Sequence, residues 1–220
     1  MPKLRVHNFA VSLDGYGAGP HQDLDNPLGV GGRDLHQWIF ASPVFLRIMG
    51  MEPEGGADDH EETIDDRFAA AGVENIGATV MGRNMFGPIR GDWGADEWRG
   101  WWGDDPVYHH PVFVLTHHPH DPMVMEGGTT FYFVTDGVES AVEQAFAAAN
   151  GKDVRLGGGV STVQQCLRAR LIDEMHLAFA PVLLGGGERL FDNLGEGPIG
   201  YECTQFIPSA AVAHAVFTRI

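Results

Sequence analysis

The chain has 220 residues, 44% of them hydrophobic, and this length suits one large domain with a substantial core better than two complete domains. Its 30 acidic and 14 basic residues give a formal charge of -16, and a surface of that sign repels nucleic acids and anionic membranes. No apolar run approaches the roughly 20 residues that a membrane-spanning helix needs. The composition therefore argues against nucleic-acid and membrane partners.

The cysteines give an expectation about the cellular compartment. Cys166 and Cys203 lack CxxC spacing, and the first residues, MPKLRVHNFAVSLDG, do not have the form of a signal peptide. We therefore expect a protein of the reducing cytoplasm.

The N-terminal half begins with a strand and a long loop. Residues 4–13, LRVHNFAVSL, are typical of a largely buried strand, and the glycine- and proline-rich segment after them predicts a loop. Apolar residues between positions 35 and 45 have helical spacing, and the helix is expected to be interrupted at Ser42-Pro43, because proline lacks an N–H donor. We expect a mobile acidic insertion over residues 50–62 and a further helix from Thr63 to Ala71.

Strands and helices alternate in the rest of the chain. Strands are expected where ATVMG, VFVL, FYFV, DVRL and EMHLAFA occur, and helices over residues 138–149 and from Ser161. This alternation favours an α/β fold with a mostly parallel sheet. The segments 201–207 and 211–219 predict a terminal antiparallel hairpin, and residues 87–111 predict a loop that carries four of the five tryptophans.

The segment LGGGVST, residues 156–162, is the first candidate binding element. A strand that ends in glycines and leads into a helix exposes backbone N–H groups at the positive end of the helix dipole, which favours an anion. Ser161 and Thr162 add hydroxyl groups at the same point. A tight strand-to-helix connection explains the glycines equally well, and GGG is not the GxGxxG fingerprint of a Rossmann domain.

Two further strand ends carry polar groups. Gly82 lets the chain turn, and Arg83 follows it at a helix start, where a guanidinium can bind a phosphate through two parallel hydrogen bonds. The alternative for Arg83 is a surface ion pair with one of the many carboxylates. Thr116, His117 and His118 end another strand. Ligands of open α/β sheets bind at the carboxyl ends of strands, so the three ends predict one shared site.

The 11 histidines raise the question of a metal centre. Adjacent histidines such as His117 and His118 point to opposite faces of a strand, and no HExxH motif accompanies them. The sequence therefore predicts no metal site.

In this order, the segments SLDG, MGRNMFG, VFVLTHHP, LGGGVSTVQQ and LAFAPVLLGGGERLF resemble the dihydrofolate reductase-like superfamily. The closest resemblance is to the reductase domain of bifunctional riboflavin-biosynthesis deaminase-reductases, and it spans residues 3–219. It implies a single domain, a three-layer α/β/α sandwich around a mixed, mostly parallel sheet. It also implies NADPH as hydride donor, a small heterocyclic substrate and a homodimer.

The resemblance further implies which residues contact the cofactor. The MGRNM element would lie along the phosphates, the LTHHP strand end beside the adenosine 2′-phosphate, and the glycine turn at the pyrophosphate, with a cis peptide between Gly157 and Gly158. The implied cofactor-binding residues are Gly82, Arg83, Asn84, Met85, Thr116, His117, Gly157, Gly158, Gly159, Val160, Ser161 and Thr162.

At the substrate end, the resemblance makes Asp34 the counterpart of the carboxylate that holds the pterin, and Asp14 an aspartate near the nicotinamide. Their alternatives are a helix N-cap for Asp34 and an ordinary turn for Asp14. Trp38, Gly17 and Ala18 are the implied substrate-binding residues. The expected reaction is hydride transfer to a pteridine or a ribosylaminopyrimidine, with Asp14 or Asp34 assisting protonation. The alternative is a non-catalytic nucleotide sensor on the same fold.

Overall fold

The computed structural model describes residues 1–53, 60–87, 91–94, 98–195 and 200–220. The strands in this part of the chain are β1 (Leu4–Ser12), β2 (Tyr16–Ala18), β3 (Ile76–Gly82), β4 (Pro111–Leu115), β5 (Met123–Val124), β6 (Thr130–Val134), β7 (Asp153–Gly158), β8 (Glu174–Ala180), β9 (Glu188–Arg189), β10 (Tyr201–Pro208) and β11 (Ala213–Arg219). The helices are α1 (Gln37–Phe40), α2 (Pro43–Ile48), α3 (Ile64–Ala71), α4 (Arg83–Phe86), α5 (Val138–Ala148) and α6 (Val160–Arg168), with 3-10 segments at Gly32–His36 and Glu126–Gly128.

The main sheet of the described residues has nine strands in the order β10-β11-β8-β1-β7-β3-β4-β6-β5. The six strands from β8 to β6 run parallel, whereas β10, β11 and β5 pair antiparallel at the two edges. The mostly parallel sheet and the terminal hairpin are therefore confirmed. Strands β2 and β9 form a separate two-stranded antiparallel sheet beside the carboxyl ends of the parallel strands.

Apolar side chains cover both faces of the sheet, which gives the three layers. On one face, α5 and α6 pack on the central strands through residues such as Val142, Ala145 and Val163. On the other face, Trp38 of α1 and Phe68 of α3 pack on β1, β8 and β11. Each layer buries a face of the alternating strands against a helix, and this burial stabilises the fold.

Two of the helices, α2 and α3, begin where side-chain caps satisfy free backbone N–H groups. Ser42 ends the first helical region and caps α2, because its Oγ accepts a hydrogen bond from the N–H of Phe45 at 3.2 Å. Thr63 and Asp66 form a reciprocal capping box at the start of α3. The expected interruption at Ser42-Pro43 is confirmed. Residues 54–59 of the expected acidic insertion lie outside the described residues.

The alternative assignment of Asp34 as a helix N-cap is wrong. Asp34 lies inside the 3-10 segment, and Gly31, with φ of 75°, precedes that segment. The N–H of Asp34 itself donates to the carbonyl of Gly31 at 3.1 Å, so the backbone of the glycine-rich turn starts the segment. The Asp34 side chain is exposed.

A bulge in β1 connects the sheet to a buried chain of histidines. The register with β8 shifts between Val6 and Phe9, and Asn8 in the shift has φ of 58°. The N–H of Asn8 donates to Nδ1 of His176 at 3.1 Å, Nε2 of His176 lies 2.9 Å from Nδ1 of His214, and Nε2 of His214 lies 2.7 Å from Asp65. Phe68 stacks on both imidazole rings, with centroids 4.2 Å away.

Since a backbone N–H only donates, Nδ1 of His176 carries no proton, and the proton of this neutral ring is on Nε2. The same reasoning places the proton of His214 on Nε2, facing Asp65. Burial lowers the pKa of both rings, that of His176 to about 2. The histidines of this core are thus neutral packing groups with satisfied hydrogen bonds.

Candidate active site

Two adjoining cavities lie where β3, β4 and β7 end. The first, called the strand-end cavity, has a volume of about 290 Å³ and lies between the ends of β3 and β4 and the start of α6. The second, called the glycine-turn cavity, has a volume of about 420 Å³ and lies between β1, β2, α4 and the end of β7. They share Asn84, Gly159, Val160 and Glu188, so they form one continuous cleft.

The structure brings all twelve expected cofactor residues to this cleft. Those at the strand-end cavity are Gly82, Arg83, Asn84, Thr116, His117, Gly159, Val160, Ser161 and Thr162. Those at the glycine-turn cavity are Asn84, Met85, Gly157, Gly158, Gly159 and Val160. The juxtaposition follows from topology, because the carboxyl ends of parallel neighbours meet at one edge of a sheet.

The expected position of the cis peptide is wrong by one residue. The structure has the cis bond between Gly158 and Gly159, not between Gly157 and Gly158. Strand β7 remains paired through Gly158, which lies opposite Met81 of β3, and α6 begins at Val160. The change of chain direction therefore falls between Gly158 and Gly159.

The three glycines of the turn differ in whether backbone conformation or neighbouring protein atoms require glycine at that position. Gly158 has φ of 120°, a conformation that side chains with a Cβ rarely adopt. A Cβ at Gly157 would only touch Met85 at 3.4 Å, and a Cβ at Gly159 would meet no described protein atom within 4 Å. No neighbouring side chain therefore accounts for glycine at position 159, and that face of the turn opens into the cleft.

Gly82 is required by close packing between two elements. A Cβ on it would collide with the Oγ1 atom of Thr162, because the end of β3 passes directly against the first turn of α6. This close approach positions α4 and α6 on either side of the strand-end cavity. A glycine at this strand end therefore shapes the cleft that it lines.

The N-terminus of α6 supplies donors to the cleft. The N–H groups of Thr162 and Val163 bond to the carbonyl of Gly159, both at 3.1 Å. The N–H groups of Val160 and Ser161 precede the first helical bond and have no partner within the helix. Together with the helix dipole, they make the turn favourable for an anionic group.

Arg83 is held in the wall of the strand-end cavity by an aromatic ring. Its guanidinium carbon lies 3.8 Å from the ring centroid of Trp93, and its Nη1 donates to the carbonyl of Gly91. Trp93 is fixed in turn by a 3.0 Å bond from its Nε1 to the carbonyl of His118. The tryptophan-rich loop thus orients a cation at the cleft, because stacking on the indole restricts the direction in which the planar guanidinium presents its donors.

The end of β4 is ordered by a local turn. The N–H of His118 donates to Oγ1 of Thr116 at 3.1 Å, and Nδ1 of His118 lies 2.8 Å from a carboxylate oxygen of Asp92. Thr116 is buried, whereas His117 is exposed at the cavity mouth. Among the described residues, no cluster of three or more histidine, cysteine or acidic side chains is arranged to hold a metal ion.

At the substrate end, two of the three expected residues reach the cleft. Gly17 and Ala18 of β2 line the glycine-turn cavity, and a Cβ on Gly17 would meet Phe9 at 2.7 Å and Val160 at 2.9 Å. Trp38 does not reach it. Its ring, 2% exposed, packs edge-on against His214 at 5.1 Å, since α1 turns this side chain toward the sheet.

The structure does not bring Asp14 or Asp34 to the walls of the glycine-turn cavity that the described residues form. Asp34 borders a different cavity, together with Trp38 and Val212. Asp14 accepts hydrogen bonds from the N–H groups of Leu184 (3.1 Å) and Gly185 (2.7 Å), which tie the first turn to the β8–β9 connection. A hydrogen bond from Ser12 and these amides lower the pKa of Asp14 to about 2, so it is ionised at neutral pH.

Sequence reasoning missed four polar side chains that do line the glycine-turn cavity: Asn8, Gln22, His36 and Glu188. Oδ1 of Asn8 is buried and has no hydrogen-bond partner among the described residues, and Nδ1 of His36 lies 3.1 Å from the carbonyl of Gly32. Glu188 lies at the junction of the two cavities. Glu188 belongs to LLGGGERLF, a segment that already carried the resemblance, whereas nothing in the strand pattern around Asn8 distinguishes it.

A family model described as the RibD C-terminal domain matches residues 2–205. The chain belongs to this family. The resemblance to the reductase domain of riboflavin-biosynthesis enzymes is therefore confirmed, and membership of the family supports a reductase role. No curated protein matches the chain by sequence.

Solved structures share the fold at low sequence identity. A protein assigned to riboflavin biosynthesis from Shewanella sp. PV-4 is 23% identical, with a TM-score of 0.59 over 100% of this chain and 99% of its own. A pyrimidine reductase-like protein from Corynebacterium diphtheriae is 11% identical, with a TM-score of 0.53 over 100% and 92%.

The third is a diaminohydroxyphosphoribosylaminopyrimidine deaminase/5-amino-6-(5-phosphoribosylamino)uracil reductase from Thermotoga maritima. It is 13% identical, with a TM-score of 0.53, and the likeness covers 100% of this chain and 57% of that longer protein. In the described part of the present chain, no helix is long and apolar enough to cross a membrane.

Proposed function

We propose that this RibD C-terminal domain family member is an NADPH-dependent reductase that transfers a hydride to a pteridine or ribosylaminopyrimidine in the glycine-turn cavity. The observation that carries the proposal is the open face of the glycine turn. A Cβ at Gly159 would meet no described protein atom, although helix donors and a cation surround the space. Such a space suits a phosphorylated ligand that lies directly on the backbone.

The residues of the strand-end cavity fit the phosphates of a dinucleotide. The N–H groups of Val160 and Ser161 would hold the pyrophosphate, because the start of α6 combines free donors with the positive end of a dipole. Arg83 and Thr116 would hold the 2′-phosphate, since a guanidinium and a hydroxyl both donate to phosphate oxygens. The selectivity for NADPH over NADH is therefore assigned to the β3 and β4 ends of the cleft.

The glycine-turn cavity fits the reacting groups. When bound, NADPH supplies the hydride and both reducing electrons. The protein has to hold two flat rings in contact, which Phe9, Met85 and Trp102 would do as apolar walls. Asn8 lines this cavity, and its side-chain amide would hydrogen-bond to a polar group of the substrate ring.

We assign the orientation of the substrate to Asn8 and to Glu188, not to Asp14 or Asp34. A carboxylate at the junction of the two cavities can accept hydrogen bonds from sugar or ring hydroxyl groups on either side. Asp14 is ionised and bonded to two backbone amides, and Asp34 borders another cavity. Water that enters the cleft would be the immediate proton donor to the reduced substrate.

The cofactor assignment is tested by titrating the protein with NADPH and with NADH while following tryptophan fluorescence, since Trp93, Trp101 and Trp102 border the cleft or contact its walls. NADPH is expected to bind more tightly than NADH. The variant Arg83→Gln should reduce that preference by roughly 10-fold or more, because a charged hydrogen bond to phosphate is lost. The control is Arg67→Gln, which removes an exposed arginine of α3 that pairs with Glu62. It should leave the preference for NADPH over NADH unchanged.

The reaction is tested by following NADPH oxidation with dihydropteridine and ribosylaminopyrimidine substrates. Turnover with either class supports the reductase. Tight NADPH binding without turnover of any member of both classes would favour the nucleotide sensor instead. Equal affinity for NADPH and NADH in the wild-type protein would contradict the assignment of the 2′-phosphate to Arg83 and Thr116.

A further inference from the structure

A third cavity lies behind the glycine-turn cavity, on the face of the sheet covered by α2 and α3. It has a volume of about 420 Å³ and we call it the arginine cavity, because Arg155 of β7 lines it. Asn8, Met85 and Trp102 form a wall that it shares with the glycine-turn cavity. The size lies within the range of small-molecule sites in proteins.

The alternation of β7 places Arg155 in this cavity. Val154, Leu156 and Gly158 are buried on the face that packs on α5 and α6, so Arg155 and Gly157 point to the opposite face. In the register of the sheet, Arg155 lies opposite Arg5 of β1 and Thr79 of β3. Two arginines therefore stand side by side on neighbouring strands.

Only Arg5 of this pair is neutralised by described residues. Arg5 pairs with Asp153 at 3.3 Å and with Glu174 at 3.4 Å. The Arg155 side chain makes no ion pair or hydrogen bond with any described residue, and its Nε is buried without a partner. Burial lowers the pKa of Arg155, and the charge of Arg5 lowers it further. A partly buried guanidinium without a counter-charge is unfavourable, so an anion would be favoured there.

The other residues that line the cavity indicate what kind of ligand it would accept. No carboxylate occurs among the described residues that line the cavity, and most of its walls are apolar. Besides Met85 and Trp102 of the shared wall, the apolar residues that line it are Phe45, Ile48, Met49, Ala69, Val73, Ile76 and Val107. Tyr108 adds a hydroxyl group and His110 a ring edge, with Nε2 of His110 2.8 Å from Oγ1 of Thr79. The occupant therefore combines an apolar body with one negative group.

We propose that the arginine cavity binds a small organic monocarboxylate with an apolar body, held by the guanidinium of Arg155. The planar carboxylate matches the fork that the two Nη groups of arginine present, and these groups are not among the buried unpartnered atoms of Arg155. A phosphate monoester fits less well, because it carries close to two negative charges at neutral pH and the cavity offers one cation. The pKa of His110 is lowered to about 4 by burial and by Arg155, so its ring is neutral and adds no second charge.

This site is separate from the cofactor phosphates and does not depend on the proposed reductase activity. The strand-end cavity binds through backbone donors of α6 and through Arg83, whereas the arginine cavity offers none of these groups. Failure of the carboxylate site would therefore leave the cofactor assignment intact. Failure of NADPH to bind would likewise leave the carboxylate site testable.

The experiment measures binding of three probes of matched shape by isothermal titration calorimetry: 3-phenylpropionate, its uncharged amide and phenyl phosphate. The acid is expected to bind wild-type protein roughly 10-fold or more tightly than the amide, since the amide cannot make the charge-assisted pair. Phenyl phosphate is expected to bind more weakly than the acid. The variant Arg155→Met should lose the preference for the acid over the amide, while Arg67→Met on the exposed face of α3 should keep it.

Arg155→Lys separates recognition from folding, because it keeps the charge and loses the planar fork. It should bind the acid with an affinity between those of the wild type and of Arg155→Met. Equal binding of acid and amide to the wild type, tighter binding of phenyl phosphate, or full retention of acid binding by Arg155→Met would each overturn the proposal. Absence of acid binding to the wild type at millimolar concentration would overturn it as well, even if Arg155→Met fails to fold.

Discussion

The glycine-turn cavity and the arginine cavity have the same volume and share Asn8, Met85 and Trp102, yet they are built from different parts of the chain. In the first, the backbone of the glycine turn at the end of β7 forms part of the wall, beside apolar side chains such as Phe9 and Met85. In the second, the wall is formed by side chains, including Thr79 of β3 and Arg155 of β7. One sheet thus supports a site with exposed peptide groups at the carboxyl ends of its strands and a site made of side chains on its face.

This difference determines how insertions and substitutions affect ligand binding at each site. A backbone site depends on chain direction and tolerates little insertion, whereas a side-chain site changes its preferred ligand by one substitution. We therefore expect perturbations of the strand ends to act on nucleotide binding alone. Perturbations of Arg155 should act on carboxylate binding alone, and changes to the shared wall on both.

The largest effect is expected from Ser161→Asp. The substitution places a negative charge in the first turn of α6, where it suits the helix dipole but repels a bound pyrophosphate. NADPH affinity should fall by roughly 100-fold, or about 3 kcal/mol, with the free energy of unfolding unchanged or slightly higher. Fluorescence titration and urea unfolding provide the two measurements.

The matched control for Ser161→Asp is Gln144→Glu, which adds the same charge on an exposed position of α5. It should leave NADPH affinity unaltered. Carboxylate binding in the arginine cavity should be the same in both variants. An equal loss of nucleotide and carboxylate affinity in Ser161→Asp would show that the two cavities are not independent.

Lower pH should reduce the stability of the fold, including the wall that both cavities share, because Asn8 in that wall is hydrogen-bonded to the buried histidine chain. Folded His176 stays neutral down to a pKa of about 2, whereas the unfolded residue titrates near 6.5. Between these values the unfolded chain binds more protons, so the free energy of unfolding falls as pH falls below 6.5. The loss from His176 alone should reach about 2 kcal/mol at pH 5 relative to pH 7.

Urea unfolding at pH 7 and at pH 5 measures this loss. The free energy of unfolding of His176→Gln should depend less on pH than that of the wild type, because the variant lacks the histidine with the lowered pKa. His21→Gln removes an exposed histidine and should leave the dependence as it is. A wild-type protein equally stable at both pH values would contradict the assignment of His176 as a buried neutral ring.

Trp102→Leu tests the wall that the glycine-turn cavity and the arginine cavity share. The indole packs against Tyr108 at 5.0 Å and lines both cavities, so its loss should weaken NADPH binding and 3-phenylpropionate binding by roughly 10-fold each, or about 1.4 kcal/mol. Trp101→Leu is the control, because Trp101 lines the glycine-turn cavity and not the arginine cavity. It should spare carboxylate binding.

The smallest effect on turnover is expected from Asp14→Asn. The structure makes Asp14 an anchor for the amides of Leu184 and Gly185, so the variant should lower thermal stability while turnover stays close to that of the wild type. Steady-state kinetics and a melting curve check this. A fall in kcat of roughly 100-fold or more would show instead that Asp14 handles the proton.

The strand-end site could be predicted from the sequence because its information is local and ordered along the chain. Glycines at 82 and 157–159, followed each time by helical spacing, fix where β3 and β7 end, and parallel topology then brings those ends together. The arginine cavity could not be predicted in this way. In the sequence, Arg155 is an ordinary polar residue of an alternating strand, and only the structure shows that its Nε has no partner while the neighbouring Arg5 pairs with Asp153 and Glu174.

Two errors have similar origins. The resemblance places Trp38 at the substrate, but in the structure its buried indole packs against His214 in the core. The resemblance places the cis bond one residue early, and three consecutive glycines give no signal for which peptide follows the last paired residue of β7. Both depend on tertiary pairing, which residue spacing does not record.

The histidine chain behind the shared wall also has a fixed polarity. It starts at the amide of Asn8, a group that does not ionise at any pH at which the protein is folded, and each ring accepts at Nδ1 and donates at Nε2 toward Asp65. No titratable group lies at the inner end of this chain to replace a proton that leaves at Asp65. A row of imidazoles that resembles a proton wire is therefore closed at the end that faces the cavities.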